Sequence, residues 1–180
     1  VPPPEDFDWQ PIANHANGSF YGAAGWAENF CSVMRVHPLY VDPMDALAGR
    51  WMVFMSRRRP VRWLPDRDYP HLRPDQEKYG IIGGIGADSH FGPDYRIGLE
   101  LGFGSLLEKI RTCRKGHEPL SDEMAAFYQA EEDVVLGIQG WIGRTVEHIR
   151  RLAAEEERPE LRENLVAMAA VNENVLSEPP

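Results

Sequence analysis

Between Ser121 and Glu156, positions Val134, Ile138, Trp141, Thr145, His148 and Leu152 recur at alternating spacings of four and three residues. That spacing lays side chains along one stripe of an α-helix and suits the stripe to packing against a partner helix. Ser121 supplies a capping hydroxyl, so the spacing predicts one helix over 121–156, on the order of 50 Å long at 1.5 Å per residue. Gly137, Gly140 and Gly143 fall inside it, although each costs up to about 1 kcal/mol relative to Ala in a helix. Close backbone approach on that side is the expected reason. Pro159 then opens a helix to about Asn172 with Leu161, Leu165, Met168 and Ala169 on one face, and the short connection predicts an antiparallel pair. Upstream, Pro93 suits a first helical position and Asp94 suits the positive end of the helix dipole. Ile97, Leu101, Leu107 and Ile110 continue an apolar face to about Arg111. Three helices are therefore expected, over 93–111, 121–156 and 159–172.

The first half reads differently. Most of the fifteen prolines and four of the five tryptophans precede Pro93. The proline before each break pushes its neighbour out of the α region, so elements there are short. A helix is expected from Ala23 to Val36, ended by His37-Pro38. The stretch PLYVDPMDALAG predicts an extended piece, a helix start at Asp42-Pro43 and a stop at Gly49. Prolines 60, 65, 70 and 74 make 51–79 mostly loop. The division is a wrapping segment, 1–92, rich in Pro and Trp, and a helical segment, 93–180, within one domain.

Bulk properties exclude several classes. A net charge of −9 repels polyanions and argues against nucleic acid as a partner. No run of about 18 apolar residues suggests a membrane span, and VPPPEDFDWQP lacks the form of a secretion signal. Cys31 and Cys113 give neither a disulfide framework nor a metal spacing, which points to a reducing cytosol.

The runs VHPLYVDPMDALAGRWM, SHFGPDYRIGLELGFGSLLEKIR and FYQAEEDVVLGIQGWIGRTVEHIRRLAAEEERPELRENLVAMAAVNENVLSEPP follow one another in an order that resembles the N-terminal helical region of glycyl radical enzymes of the pyruvate formate-lyase type. In that family a His followed by a Pro-Asp-Tyr-like triplet opens a helix with a glycine near its middle. Here those residues are His90, Pro93, Asp94, Tyr95 and Gly102. A Phe-x-Gln-Ala-like start of the long helix matches Phe127 to Ala130, and an arginine two-thirds of the way along it matches Arg144. The Asn/Pro-rich stretch after the last helix matches Asn172 to Pro180.

The resemblance implies a mainly α region belonging to a larger α/β barrel. Family members abstract a hydrogen atom from a bound substrate with a thiyl radical, and a glycine stores the radical after activation by an S-adenosylmethionine iron–sulfur enzyme. Lyases, dehydratases and acyltransferases such as formate acetyltransferase use this chemistry, under anaerobic conditions and in the cytoplasm. Neither radical loop is recognisable here. Cys31 and Cys113 fall in helical contexts without a Cys-x-Glu-like pattern, and no Arg-Val-Ala/Ser-Gly-Tyr-like loop occurs. The 180 residues alone are expected to be inactive and to bind no cofactor or metal themselves. The implied partners are the remainder of the barrel, a small-molecule substrate, the activating enzyme and a second copy in a homodimer. The SEPP ending, in mid-pattern, agrees with a region that continues into further sequence. The alternative is a non-catalytic helical scaffold or protein-interaction module of the same descent.

His90 is the one substrate-site candidate. In some family members the histidine there hydrogen-bonds a substrate hydroxyl, which its near-neutral pKa suits; the plainer role is to fix the helix entrance. Asp88 reads as a turn residue, Asp94 as a helix-start residue and Tyr95 as a packing residue. GIIGGIGADS superficially resembles a phosphate loop but has no basic residue. Arg57, Arg58, Arg59 and Arg62 beside Trp63 read as a solvated or acid-paired run. Glu131, Glu132 and Asp133 point around a helix and read as a solvated face. His148 reads as a core histidine, and His15, His37, His71 and His117 have no partner at metal-ligand spacing.

Overall fold

A computed structural model of the chain describes residues 9–16, 18–46, 48, 73–79 and 94–180. The described part is mainly helical and contains no strand. Its elements are α1 (Gly22–Val36), α2 (Arg73–Lys78), α3 (Tyr95–Gly116), α4 (Asp122–Glu155) and α5 (Pro159–Val175).

Local chemistry sets these boundaries. His37-Pro38 ends α1 at the expected residue, since the residue before proline leaves the α region. Ser121 caps α4 by accepting from the Met124 amide at 3.3 Å, and Pro159 occupies the first turn of α5. Two expectations change. No helix starts at Asp42-Pro43. The Asp42 carboxylate accepts the Met44 amide at 2.9 Å and its carbonyl accepts the Asp45 amide at 3.0 Å, which closes a turn instead. Within the proline-rich 51–79 stretch, Pro74 opens the six-residue α2. The remainder of that stretch lies outside the described residues.

The long helix α4 is the axis of the fold, and it buries two stripes rather than one. The expected seam meets α1: Trp141 packs with Val33, Met34 and Trp9, and its ring lies edge-on to His37 at 5.2 Å. A stripe one position over forms the larger core. There Val146, Ile149 and Ala153 pack on Leu165, Met168 and Ala169 of α5. Thr145 belongs to the expected seam but turns its hydroxyl onto the Trp141 carbonyl at 2.9 Å. Ile149 and Leu165 are fully buried, each contributing about 1.5–3 kcal/mol by area. Val135 takes part in a third cluster with Leu107 and Ile110 of α3. A helix flanked on three sides needs a wider apolar arc than a single seam supplies.

Directions follow from the contacts. Arg150 pairs with Glu173 at 2.6 Å and Gln139 donates to the Leu176 carbonyl at 2.6 Å, so α5 runs antiparallel to α4 as expected. By contrast, Cys31 meets Asp133 and Gly137, while Met34 and Arg35 meet Arg144, so α1 runs parallel to α4. Gly137 is needed there, because a Cβ would stand 2.9 Å from the Cys31 sulfur. Gly140 and Gly143 face open space, so close approach explains one of the three helix glycines.

Short polar links tie flanking chain to the helices. Asn29 accepts the Ile12 amide at 2.8 Å and donates to the Ile12 carbonyl at 2.9 Å, pairing with that extended backbone as a strand would. Trp9 donates to Ser32 Oγ at 2.7 Å. Asn164 of α5 donates to the carbonyls of Pro43 and Asp45 at 2.8 and 2.9 Å.

Candidate functional site

His90, Asp88 and Pro93 lie outside the described residues, as do the GIIGGIGADS loop, His71 and the Arg57–Trp63 run. The structure begins again at Asp94, the residue that caps the helix behind His90. Its carboxylate accepts the Arg96 amide at 3.1 Å and the Arg96 guanidinium at 3.1 and 3.2 Å. Hydrogen bonds from the Arg96 side chain and backbone lower its pKa. The helix therefore starts at Tyr95, two residues later than Pro93 would start it. Tyr95 does not pack: it is 73% exposed, and Ile97 and Leu99 are exposed as well.

The reason is a kink. Gly102 has φ +61°, a left-handed value that favours glycine, and α3 changes course there. Residues before Gly102 leave the α4 surface, whereas Leu107 and Ile110 after it are buried. The C-terminal stretch passes at the kink. A Cβ on Gly102 would lie 2.6 Å from the Glu178 carbonyl oxygen, and the Gly104 amide donates to the Ser177 carbonyl at 2.9 Å. Gly102 and the Asn174–Pro179 stretch, two separate pieces of the sequence pattern, meet at one point in the fold.

Arg144 has an equally definite place. Its guanidinium donates to the carbonyls of Met34, Arg35 and His37. These are carbonyls at the end of α1 that have lost their helical partners, where the dipole also favours a cation. The imidazole of His37 beside it is fully buried, with Nδ1 2.7 Å from the Pro38 carbonyl oxygen. Burial is the main cause that lowers its pKa from the ordinary 6.5, which favours the neutral ring.

The acidic triplet on α4 does diverge around the helix, but it is not a solvated face. Glu132 is buried, held by Arg111 at 2.9 Å and Arg114 at 3.2 Å, which ties α3 to α4. Asp133 accepts from Gln129 at 2.9 Å, and its carbonyl accepts the Cys31 thiol at 3.1 Å. Glu131 borders an apolar cleft among α1, α3 and α4. Spacing alone did not show that two arginines one turn apart on α3 would reach across to Glu132.

The cysteines sit on helices. Cys31 is half-buried in a groove of about 830 Å³ between α1 and α4, and burial raises its thiol pKa. Cys113 is exposed near the end of α3, where its carbonyl lies 2.7 Å from His117 Nδ1; Tyr128 Oη is 2.9 Å from the same nitrogen. His148 is half-buried on the seam and has its pKa lowered chiefly by burial. Among the described residues, no group of three or more His, Cys, Asp or Glu side chains could hold a metal ion. No helix among them is long and apolar enough to cross a membrane.

What this arrangement defines is a set of packed helices whose polar side chains, Arg144, Glu132, Asn29 and Asn164 among them, hold helices and chain segments together. A family model described as pyruvate formate lyase-like matches residues 78–180, which contain all of α3, α4 and α5. The chain belongs to the pyruvate formate lyase-like family, and its helices are a helical portion of that fold. A search of curated proteins gave no match.

Proposed function

We propose that the chain is the N-terminal helical region of a glycyl radical enzyme, a lyase, dehydratase or acyltransferase of the pyruvate formate lyase type. It supplies pocket wall rather than radical residues. The observation that carries this reading is the family match over 78–180. The helices support it: the residues shared with the family pattern have structural work at Gly102 and Arg144, while both cysteines lie on helices and outside any loop. In this reading the region binds no cofactor of its own. The radical cysteine and glycine belong to the remainder of the barrel, and an S-adenosylmethionine iron–sulfur enzyme installs the radical in a cytoplasmic, anaerobic homodimer. Thiyl-radical hydrogen abstraction then cleaves a small substrate.

His90 is the residue proposed to meet that substrate, four positions ahead of the Asp94 cap. The test is His90→Ala in the complete, activated enzyme. Turnover is expected to fall at least about a hundredfold, the usual scale for a positioned acid–base group, with helical content and melting temperature retained. Unchanged kinetics would remove the pocket role. A complete gene lacking both radical loops would overturn the enzyme reading in favour of a scaffold.

A further inference from the structure

Helix α3 bends where the stretch after α5 touches it. Gly102, at φ +61° and ψ −179°, holds a conformation open essentially to glycine alone. In an unbroken helix the Gly104 amide would donate to the Glu100 carbonyl, four residues back. Here it donates to the Ser177 carbonyl at 2.9 Å. The bend thus exchanges a helical acceptor for one supplied by distant chain.

The stretch that supplies it is firmly placed. The Ser177 and Glu178 amides donate to the Asn174 carbonyl at 3.2 and 2.9 Å, and the Leu176 carbonyl accepts Gln139 of α4 at 2.6 Å. Its Glu178 and Pro179 backbone lies against Gly102 and leaves no room for a Cβ. Ahead of the bend the helix has no such hold: every residue from Asp94 to Glu100 is exposed, whereas Leu107 and Ile110 are buried with Val135. A short arm therefore projects from a packed body, joined through a glycine that takes up helical angles as readily as the bent ones.

We propose that Gly102 is a hinge and the Ser177–Pro179 stretch its catch. While the catch is seated α3 is bent; when it is withdrawn, the Gly104 amide returns to the Glu100 carbonyl and the Asp94–Leu101 arm swings into line with the rest of α3. Each arrangement gives that amide one backbone acceptor, so an interaction that holds Ser177–Pro179 elsewhere shifts the balance toward the straight helix. The hinge rests on contacts among the helices and stands apart from the His90 proposal.

Nuclear magnetic resonance on the 180-residue chain tests this from both sides of the contact. In the wild type, the coupling carried across the hydrogen bond from the Gly104 nitrogen should reach the Ser177 carbonyl carbon. Residual dipolar couplings should set the arm at more than about 20° to residues 103–116, the threshold for a sharp kink. Ser177→Pro leaves α3 untouched, removes the Ser177 amide and drives Leu176 out of its helical conformation, which displaces the catch. The coupling should then pass to the Glu100 carbonyl carbon and the angle should fall below about 20°. Gly102→Ala acts on the hinge itself and should give the same change, because alanine is barred from the bent conformation. Gly98→Ala, in the arm where a Cβ meets nothing, should leave coupling and angle as in the wild type. Circular dichroism checks that each variant folds. An arm that stays bent in Ser177→Pro after the Ser177 coupling is lost would overturn the proposal, since the bend would then belong to Gly102 alone. A folded Gly102→Ala chain with a bent arm, an arm that unravels instead of straightening, or a wild type without the Gly104–Ser177 coupling would overturn it as well.

Discussion

The guanidinium of Arg144 donates to the backbone carbonyl of His37 at 3.0 Å, joining residues 107 positions apart in sequence. Two further carbonyls, of Met34 and Arg35, share the same side chain, so one residue of α4 finishes the last turn of α1. Arg144→Ala should cost about 1.5–3 kcal/mol, the range for hydrogen bonds to a charged group plus the carbonyls left unpaired. Arg144→Lys should recover only part of it, because an ammonium lacks the planar fork that reaches several carbonyls. Urea unfolding of both variants checks the order; equal stability of Ala and wild type would refute the capping role.

Glu132 makes stability pH-dependent with a defined sign. Hydrogen bonding from Arg111, with Arg114 adding to it, holds the folded pKa below the ordinary value of 4.5. The pair's contribution is complete above the unfolded pKa and is lost as pH falls from there through the folded pKa. Glu132→Gln should therefore destabilise the chain at neutral pH and flatten the acid limb of its stability curve below about pH 4.5. Denaturant midpoints measured across that limb for both proteins give the test.

The glycines separate by geometry. Gly102→Ala meets a left-handed φ and the Glu178 and Pro179 backbone, so a loss of about 1–3 kcal/mol is expected, with the Ser177–Pro179 stretch released. Gly140→Ala is the counterpart: it faces open space in a regular helix and should gain up to about 1 kcal/mol. Melting temperatures that move in the same direction for both would contradict this distinction.

Leu165 is fully buried in the α4–α5 core. Leu165→Ala should cost about 2–5 kcal/mol through lost burial and the cavity left behind. Val166→Ala, at a 58% exposed neighbour, should stay within about 0.5 kcal/mol of wild type by the same denaturation assay.

Some helix ends were legible in the sequence because their causes are local, whereas the end of α3, expected near Arg111, falls at Gly116. Ser121, Pro159, His37-Pro38 and Asp94 each act within a turn of themselves. What depended on distant chain was not legible. Ile97, expected on the apolar face, lies ahead of the kink at Gly102 and is exposed, and the backbone that a Cβ at Gly102 would meet belongs to Glu178 and Pro179, far along the chain. The second stripe of α4 needed knowledge that α1 and α5 both lie on that helix. For the candidate site, the pattern supplied His90, which lies outside the described residues. It did not supply the divergence of Glu131 from Glu132, because that depends on which carboxylate two arginines of another helix can reach.

The parallel seating of α1 on α4 bears on the order of assembly. Helices α3, α4 and α5 are joined by short connections and pair as sequence neighbours, whereas every α1 contact with α4 closes a segment of roughly a hundred residues. Loop closure of that length slows contact formation, so the three later helices are expected to collapse first and present a finished template. Docking of α1 is then the expected late step, and Arg144→Ala should speed its release more than it slows its arrival.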